Sequence, residues 1–379
     1  MKVVLAIDSF KGCASSKELS CWVKEGIEAV DPLAEVVSCF IADGGEGMLE
    51  AIMQNSRGTR VKCTVHDPLM NLIEAKYGIL DDGLSAVIEM AQAAGLPLVP
   101  LEKRNPLYTT TYGVGELMKD AIGRGCRKFI VGIGGSATND AGLGMMQALG
   151  YRFLDKEGNE LGQGGIILEA FHEIDTSNVL PELQACEVVV ACDVDNVMYG
   201  PNGSAHIYAA QKGADASMIA RLDEGMELFA TRLHTLLGVD VASGAGSGAA
   251  GGMGGGMQAF LGATLQAGIE ILLDEAHFDR LLKGADWVIT GEGRIDKQSL
   301  MGKVLSGVAK RAKKANIPVI ALGGGICQDL KDQHAVDAIF SIMRSPMSLE
   351  EAMQKETTQR SIKASVQEIF RLINAAQRK

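Results

Sequence analysis

The stretch Gly132–Gly144, GIGGSATNDAGLG, decides how this chain is read. It follows the apolar segment Lys128–Val131 (KFIV) and leads into Leu143–Leu149, whose composition predicts a helix. An apolar strand, a glycine-rich turn and a helix N-terminus together make a place to hold an anion, because backbone N–H groups converge there. Gly134 and Gly135 give that turn its freedom, while Ser136, Thr138, Asn139 and Asp140 supply short polar groups for an oxygen-rich ligand.

The same grammar recurs along the chain. Val3–Ile7 is an apolar run that ends in Asp8-Ser9-Phe10-Lys11-Gly12, after which Ser15 and Glu18 form a capping box for a helix carrying Leu19, Trp22, Val23 and Ile27. Val36–Ile41 reads as a second strand, ending in Ala42-Asp43-Gly44-Gly45-Glu46-Gly47, with a helix at Met48–Met53. Downstream, Trp287–Ile289 is expected to end in the turn Thr290-Gly291-Glu292-Gly293, and Val319–Leu322 in Gly323-Gly324-Gly325. Val336–Ile342 is a further strand candidate and the C-terminus from about Ser348 is helical. Strand, polar glycine turn, helix is the pattern of an open parallel sheet with ligands at the strands' carboxyl ends.

The middle of the chain departs from this pattern. Val65–Leu80 reads as paired strands around a polar turn, and Val87–Met90 as another strand. Ser243–Met257, SGAGSGAAGGMGGGM, fits either a hinge or nucleotide loop or a close-packed helix. The expected architecture is α/β with two domains. One is built from both termini (1–64 and 285–379), a second α/β domain (65–284) is inserted, and the ligand site lies in the cleft between them.

Bulk properties narrow the function. A chain of 379 residues exceeds the usual single core, so two domains are the expectation. A net charge of −11 argues against nucleic-acid or anionic-membrane partners, which need a basic face. The eight cysteines form no CxxC pair, which argues against a zinc or thioredoxin-type motif. The N-terminal run is too short for a signal peptide and no apolar stretch is long enough to span a bilayer, so a cytoplasmic protein is expected.

Nucleotide motifs can be tested directly. Gly302-Lys303 is not followed by a hydroxyl residue and lacks the upstream glycine of a P-loop. GxGxxG-like patterns at Gly132 and Gly246 are expected by chance among 46 glycines. The acidic turns say more: Asp8, Asp43, Glu46, Asp193, Asp195, Glu292 and Asp296 all follow apolar strands. Parallel strands would gather such carboxylates at one sheet edge, where they can hold Mg²⁺ or accept a proton from an attacking hydroxyl, although each alone also suits a helix cap or turn. Lys11, Arg294, Lys297 and Lys303 stand beside glycine turns and could meet phosphate or carboxylate. No Ser/His/Asp nucleophile system is visible.

On these residues the chain resembles the type I glycerate kinases of bacteria. The matching stretches are DSFKG (Asp8–Gly12), ADGGEG (Ala42–Gly47), HDPL (His66–Leu69), GIGGSATNDAG (Gly132–Gly142), ACDVDN (Ala191–Asn196), GPNG (Gly200–Gly203), TGEGRID (Thr290–Asp296) and GKV (Gly302–Val304). The resemblance implies a Rossmann-like domain with an inserted second domain, ATP and Mg²⁺ as cofactors, and phosphorylation of D-glycerate, with 2-phosphoglycerate the product associated with this type. Cys13-Ala14 and Met198-Tyr199 depart from the family pattern and read as packing changes.

The mechanism expected from that resemblance has Mg²⁺ near Asp193 and Asp195. The nucleotide lies against Gly134, Gly135, Glu292, Gly293 and Lys303. Lys11 or Arg294 grips the glycerate carboxylate, with Asp8, Ser9, Ser136, Thr138 and Asn139 nearby. Asp43 or Asp296 serves as proton acceptor, and Asp193 and Lys11 are counted with the catalytic group. A homo-oligomer stays open, as do a 3-phosphoglycerate product, an NAD-dependent hydroxy-acid oxidoreductase and a non-enzymatic sensor.

Overall fold

The computed structural model describes residues 1–42, 47–297, 299, 304–327 and 335–378. In chain order the strands are β1 (Lys2–Ile7), β2 (Glu35–Ser38), β3 (Thr59–His66), β4 (Leu72–Ile79), β5 (Ser85–Glu89), β6 (Lys128–Gly132) and β7 (Arg152–Leu154). They continue as β8 (Glu173–Asp175), β9 (Glu187–Ala191), β10 (Thr264–Gln266), β11 (Trp287–Ile295), β12 (Val319–Ile326) and β13 (Ala338–Ser341). The chain divides into two compact units, Met1–Asp43 with Glu50–Asn55 and Ile269–Lys379, and Gly44–Leu49 with Ser56–Gly268.

The first unit holds a five-stranded sheet in the order β13-β12-β11-β1-β2, parallel throughout. Val3, Leu5 and Ile7 point to one face, where they join Leu19, Val23 and Ile27 of the helix Ser16–Glu28 and Ile362, Val366 and Phe370 of the helix Lys355–Gln377. The alternate residues Val4 and Ala6 are equally buried. That is the pattern of a strand covered on both sides. The capping box forms as expected: Ser15 Oγ accepts from the Glu18 N–H at 3.3 Å, and the Ser15 N–H donates to Glu18 Oε2 at 3.0 Å.

Two expected turns are strands instead. β11 runs through Thr290-Gly291-Glu292-Gly293 to Ile295, and β12 runs through Gly323-Gly324-Gly325 to Ile326, with Glu292 level with Gly323 and Arg294 with Gly325. The glycines are needed for proximity: a Cβ on Gly324 would lie 2.6 Å from the Gly293 carbonyl oxygen. β2, by contrast, stops at Ser38, short of the expected Ile41.

The second unit is built on a six-stranded sheet, order β10-β9-β6-β5-β4-β3, in which β10, β9, β6 and β5 are parallel and β5, β4 and β3 antiparallel. β7 and β8 form a separate antiparallel pair. The junctions fall elsewhere than the expected 64/65 and 284/285. β3 pairs with β4 from Thr59 onward and so belongs to the second unit. At the other junction, Glu270 and Asp274 hold Arg311 of the helix Val304–Lys314 at 2.6 and 2.7 Å, which ties the helix Gly268–Glu275 to the first unit.

Candidate active site

In the first unit the sheet order reverses beside β1. The chain passes from β1 to β2 on one side, and the later strands β11, β12 and β13 add on the other. β1 and β11 are thus followed in the chain by strands on opposite sides, which makes the carboxyl ends of this adjacent pair a topological switch point, the usual ligand position of an open α/β sheet. A cavity of about 1030 Å³ lies there, and Asp8, Ser9, Lys11, Glu292, Gly293 and Arg294 all line it. Six residues singled out from the sequence thus line one cavity.

Their geometry is set by the backbone. The Asp8 N–H donates to the Gly291 carbonyl at 3.0 Å, which fixes the end of β1 to β11. Asp8 is only 6% exposed and its Oδ1 accepts from the Ser9 N–H at 2.6 Å. Lys11 and Arg294 are exposed, and Arg294 Nη2 donates to Cys327 Sγ at 3.4 Å. Ser299, which sequence reasoning missed, links two expected carboxylates. Its hydroxyl donates to Glu292 Oε2 at 2.6 Å, and its N–H donates to Asp296 Oδ1 at 3.2 Å. Asp43, Glu46 and Lys303 lie outside the described residues.

In the second unit the turn after β6 is open at its glycines and closed beyond them. Gly135 is exposed and Gly134 half-buried, but Thr138, Asn139 and Asp140 are fully enclosed and Ser136 nearly so. The short helix Leu143–Ala148 already has an anion at its start: Asp140 accepts from the Gly142 N–H at 3.1 Å and the Gly144 N–H at 3.3 Å. The Thr111 N–H and hydroxyl donate to the same carboxylate at 2.8 and 2.9 Å. Burial pushes the Asp140 carboxyl above the usual carboxylate range, against the pull of these donors. Thr138 and Asn139 are enclosed; the Asn139 side-chain oxygen accepts from the Ser204 hydroxyl at 3.2 Å, while Thr138 Oγ1 and Asn139 Nδ2 find no partner among the described residues.

The residue that sequence reasoning missed here is Lys212. It is 1% exposed, and its Nζ donates to Ser136 Oγ at 2.8 Å and to the Thr138 carbonyl at 2.6 Å. Burial pulls its pKa down to about 7, while the charge on Asp140 acts in the opposite direction. The glycine-rich stretch 243–257 packs on this turn. A Cβ on Gly251 would sit 2.1 Å from the Thr138 carbonyl oxygen, and one on Gly256 1.9 Å from that of Ala141. Of the readings open for that stretch, the structure shows close packing.

Asp193 and Asp195 follow β9 and are both exposed. Asp193 Oδ1 accepts from the Gly268 N–H at 2.8 Å, at the start of the helix Gly268–Glu275. Among the described residues no group of three or more His, Cys, Asp or Glu is placed to hold a metal ion. Mg²⁺ commonly takes only one or two protein carboxylates and fills its remaining positions with water and substrate phosphates, and exposed carboxylates such as these are the hard oxygen donors that ion uses. Among the described residues no helix is long and apolar enough to cross a membrane.

Parallel sheets with acidic and glycine-bearing segments at their carboxyl ends define an α/β enzyme that acts on a small ligand. The model of the glycerate kinase family matches residues 3–374, and the chain belongs to that family. It is 47% identical to a glycerate kinase of Halalkalibacterium halodurans, over 93% of each chain. It is 46% identical to the glycerate 2-kinase of Escherichia coli, again over 93% of each. A crystal structure of a protein assigned as glycerate kinase 2 from Salmonella typhimurium LT2 superposes with a TM-score of 0.90 at 43% identity, covering 100% of both chains.

Proposed function

We propose that this enzyme transfers the γ-phosphoryl group of ATP to D-glycerate, with Mg²⁺ as the metal, and releases 2-phospho-D-glycerate. The observation that carries the reading is the crevice at the ends of β1 and β11, where two cations and two carboxylates line one cavity. Family membership supports the reaction class. The choice of the 2-hydroxyl rests on the name glycerate 2-kinase borne by the Escherichia coli relative.

In this reading Lys11 and Arg294 meet the negative charge of glycerate carboxylate and transferring phosphoryl, as mobile or forked cations do elsewhere. Asp8 and Ser9 orient the acceptor, and Glu292 and Gly293 lie on the donor side. Asp296 takes the proton from the attacking hydroxyl; Asp43, the other expected base, is outside the described residues. Gly134 and Gly135 offer backbone N–H groups to phosphate oxygens, and Ser136 stands behind them. Asp193 and Asp195 would hold Mg²⁺, which when bound supplies neutralising charge to the phosphates. Transfer is direct and in line, with no covalent enzyme intermediate, and a cytoplasmic location accords with it.

Phosphorus NMR of the products formed from D-glycerate, ATP and Mg²⁺ tests this. A 2-phosphoglycerate signal is expected. A 3-phosphoglycerate signal would keep the kinase and overturn the regiochemistry. No phosphoester, with ATP intact, would overturn the reaction itself and favour a binding protein.

A further inference from the structure

We propose that the apolar wall of the first unit's crevice, formed by Met343, Met347, Leu349 and Met353, is the seat of the donor nucleotide's planar base. The inference rests on the kinase reading above and adds where the base goes and how selectively it is held. All four side chains line the cavity of about 1030 Å³ that also holds Asp8, Ser9, Lys11, Glu292 and Arg294. They come from the segment between β13 and the helix Lys355–Gln377.

The wall is apolar where the fold does not require it. Leu349 is 75% and Met353 40% exposed, although a capping box at Ser348 fixes the helical turn Leu349–Ala352 that carries Leu349 and that Met353 ends, with the Ser348 N–H donating to Glu351 Oε2 at 2.9 Å. Large apolar side chains left in solvent around a concave surface mark a surface that a ligand covers. Met353 also reaches the polar loop: its Cε lies 3.1 Å from where a Cβ on Gly12 would stand. Apolar wall and charged floor therefore belong to one compartment.

The chemistry of the two reactants decides the occupant. Glycerate is a three-carbon acid with a hydroxyl or carboxylate oxygen on every carbon, and it has no apolar face to lay on a methionine. A purine has two such faces, and thioether sulfur packs favourably on π systems. Ligand pockets commonly measure about 300–1,000 Å³, so this cavity suits a nucleoside phosphate and is far too large for the acid alone. A seat made of shape and polarisability rather than paired hydrogen bonds discriminates weakly between bases. ATP and GTP should thus serve with similar efficiency.

The test uses the full chain carrying ¹³C-methyl methionine, with signals assigned by single Met→Leu variants. Adenosine, ADP and D-glycerate are titrated separately. The Met343, Met347 and Met353 methyl signals should shift with adenosine and ADP and stay in place with D-glycerate. Shifts with D-glycerate and none with adenosine would overturn the proposal. In activity assays M353E should raise KM for ATP about tenfold while KM for D-glycerate changes far less; the reverse pattern would also overturn it. If no nucleoside triphosphate yields a phosphoester, the kinase reading fails on its own, and the adenosine titration still decides the seat.

Discussion

Lys212 Nζ lies 2.8 Å from Ser136 Oγ, an ammonium group sealed beneath the glycine turn that the sequence marks as most informative. Its pKa of about 7, against an ordinary 10.5, ties stability to pH. Between those values the unfolded chain binds more protons than the folded one, so the free energy of unfolding gains from this group as pH rises. The cost of burying the charge is full below about pH 7 and fades toward 10.5. Lys212→Met removes the titration. Between pH 7 and 9 the melting temperature of the parent chain should climb relative to K212M; parallel curves would count against it. The variant should also lose about tenfold or more in kcat/KM, because Ser136 and the Thr138 carbonyl lose their common donor.

The alternation of strand, glycine turn and helix made the parallel sheets legible from sequence, because buried parallel strands are short apolar runs bounded by glycine and acid. What was not legible follows from pairing partners distant in sequence. TGEG and GGG read as turns because glycine usually breaks a strand, yet each supplies the clearance the other needs, and no local pattern reports that. That Thr138 and Asn139 are enclosed was not legible either, because burial is invisible in a polar run. Lys212 went unnoticed because a lone lysine near a helix end is normally solvated, and only the tertiary fold encloses it.

Gly251 makes the closest approach to that turn a matter of sterics. Its φ of +72° is left-handed, and a Cβ there would stand 2.1 Å from the Thr138 carbonyl oxygen. Gly251→Ala should therefore cost more than the roughly 1–3 kcal/mol of backbone strain alone, since backbone must also move. Urea unfolding measures it; a midpoint equal to that of the parent chain would mean the contact is relaxed in solution.

Asp8 tests the crevice without disturbing the sheet. Asn in its place keeps an oxygen to accept the Ser9 N–H and keeps the backbone bond to Gly291. Asp8→Asn should lower kcat by about a hundredfold, the scale on which misplacing a bound reactant costs rate, with the melting temperature little changed. Wild-type turnover would remove Asp8 from the acceptor site.

Asp193 and Asp195 separate metal holding from capping. Asp193 accepts the Gly268 N–H at 2.8 Å, so Asp193→Asn retains the cap while losing the charge a hard cation requires. The variant should fold normally, turn over far more slowly, and need a higher Mg²⁺ concentration for half-maximal rate. Asp195→Asn should show the same shift in Mg²⁺ dependence, because two carboxylates two residues apart in sequence are expected to share one ion. A slower Asp193→Asn enzyme with unchanged Mg²⁺ dependence would assign this carboxylate to holding the helix Gly268–Glu275 in place rather than to the metal.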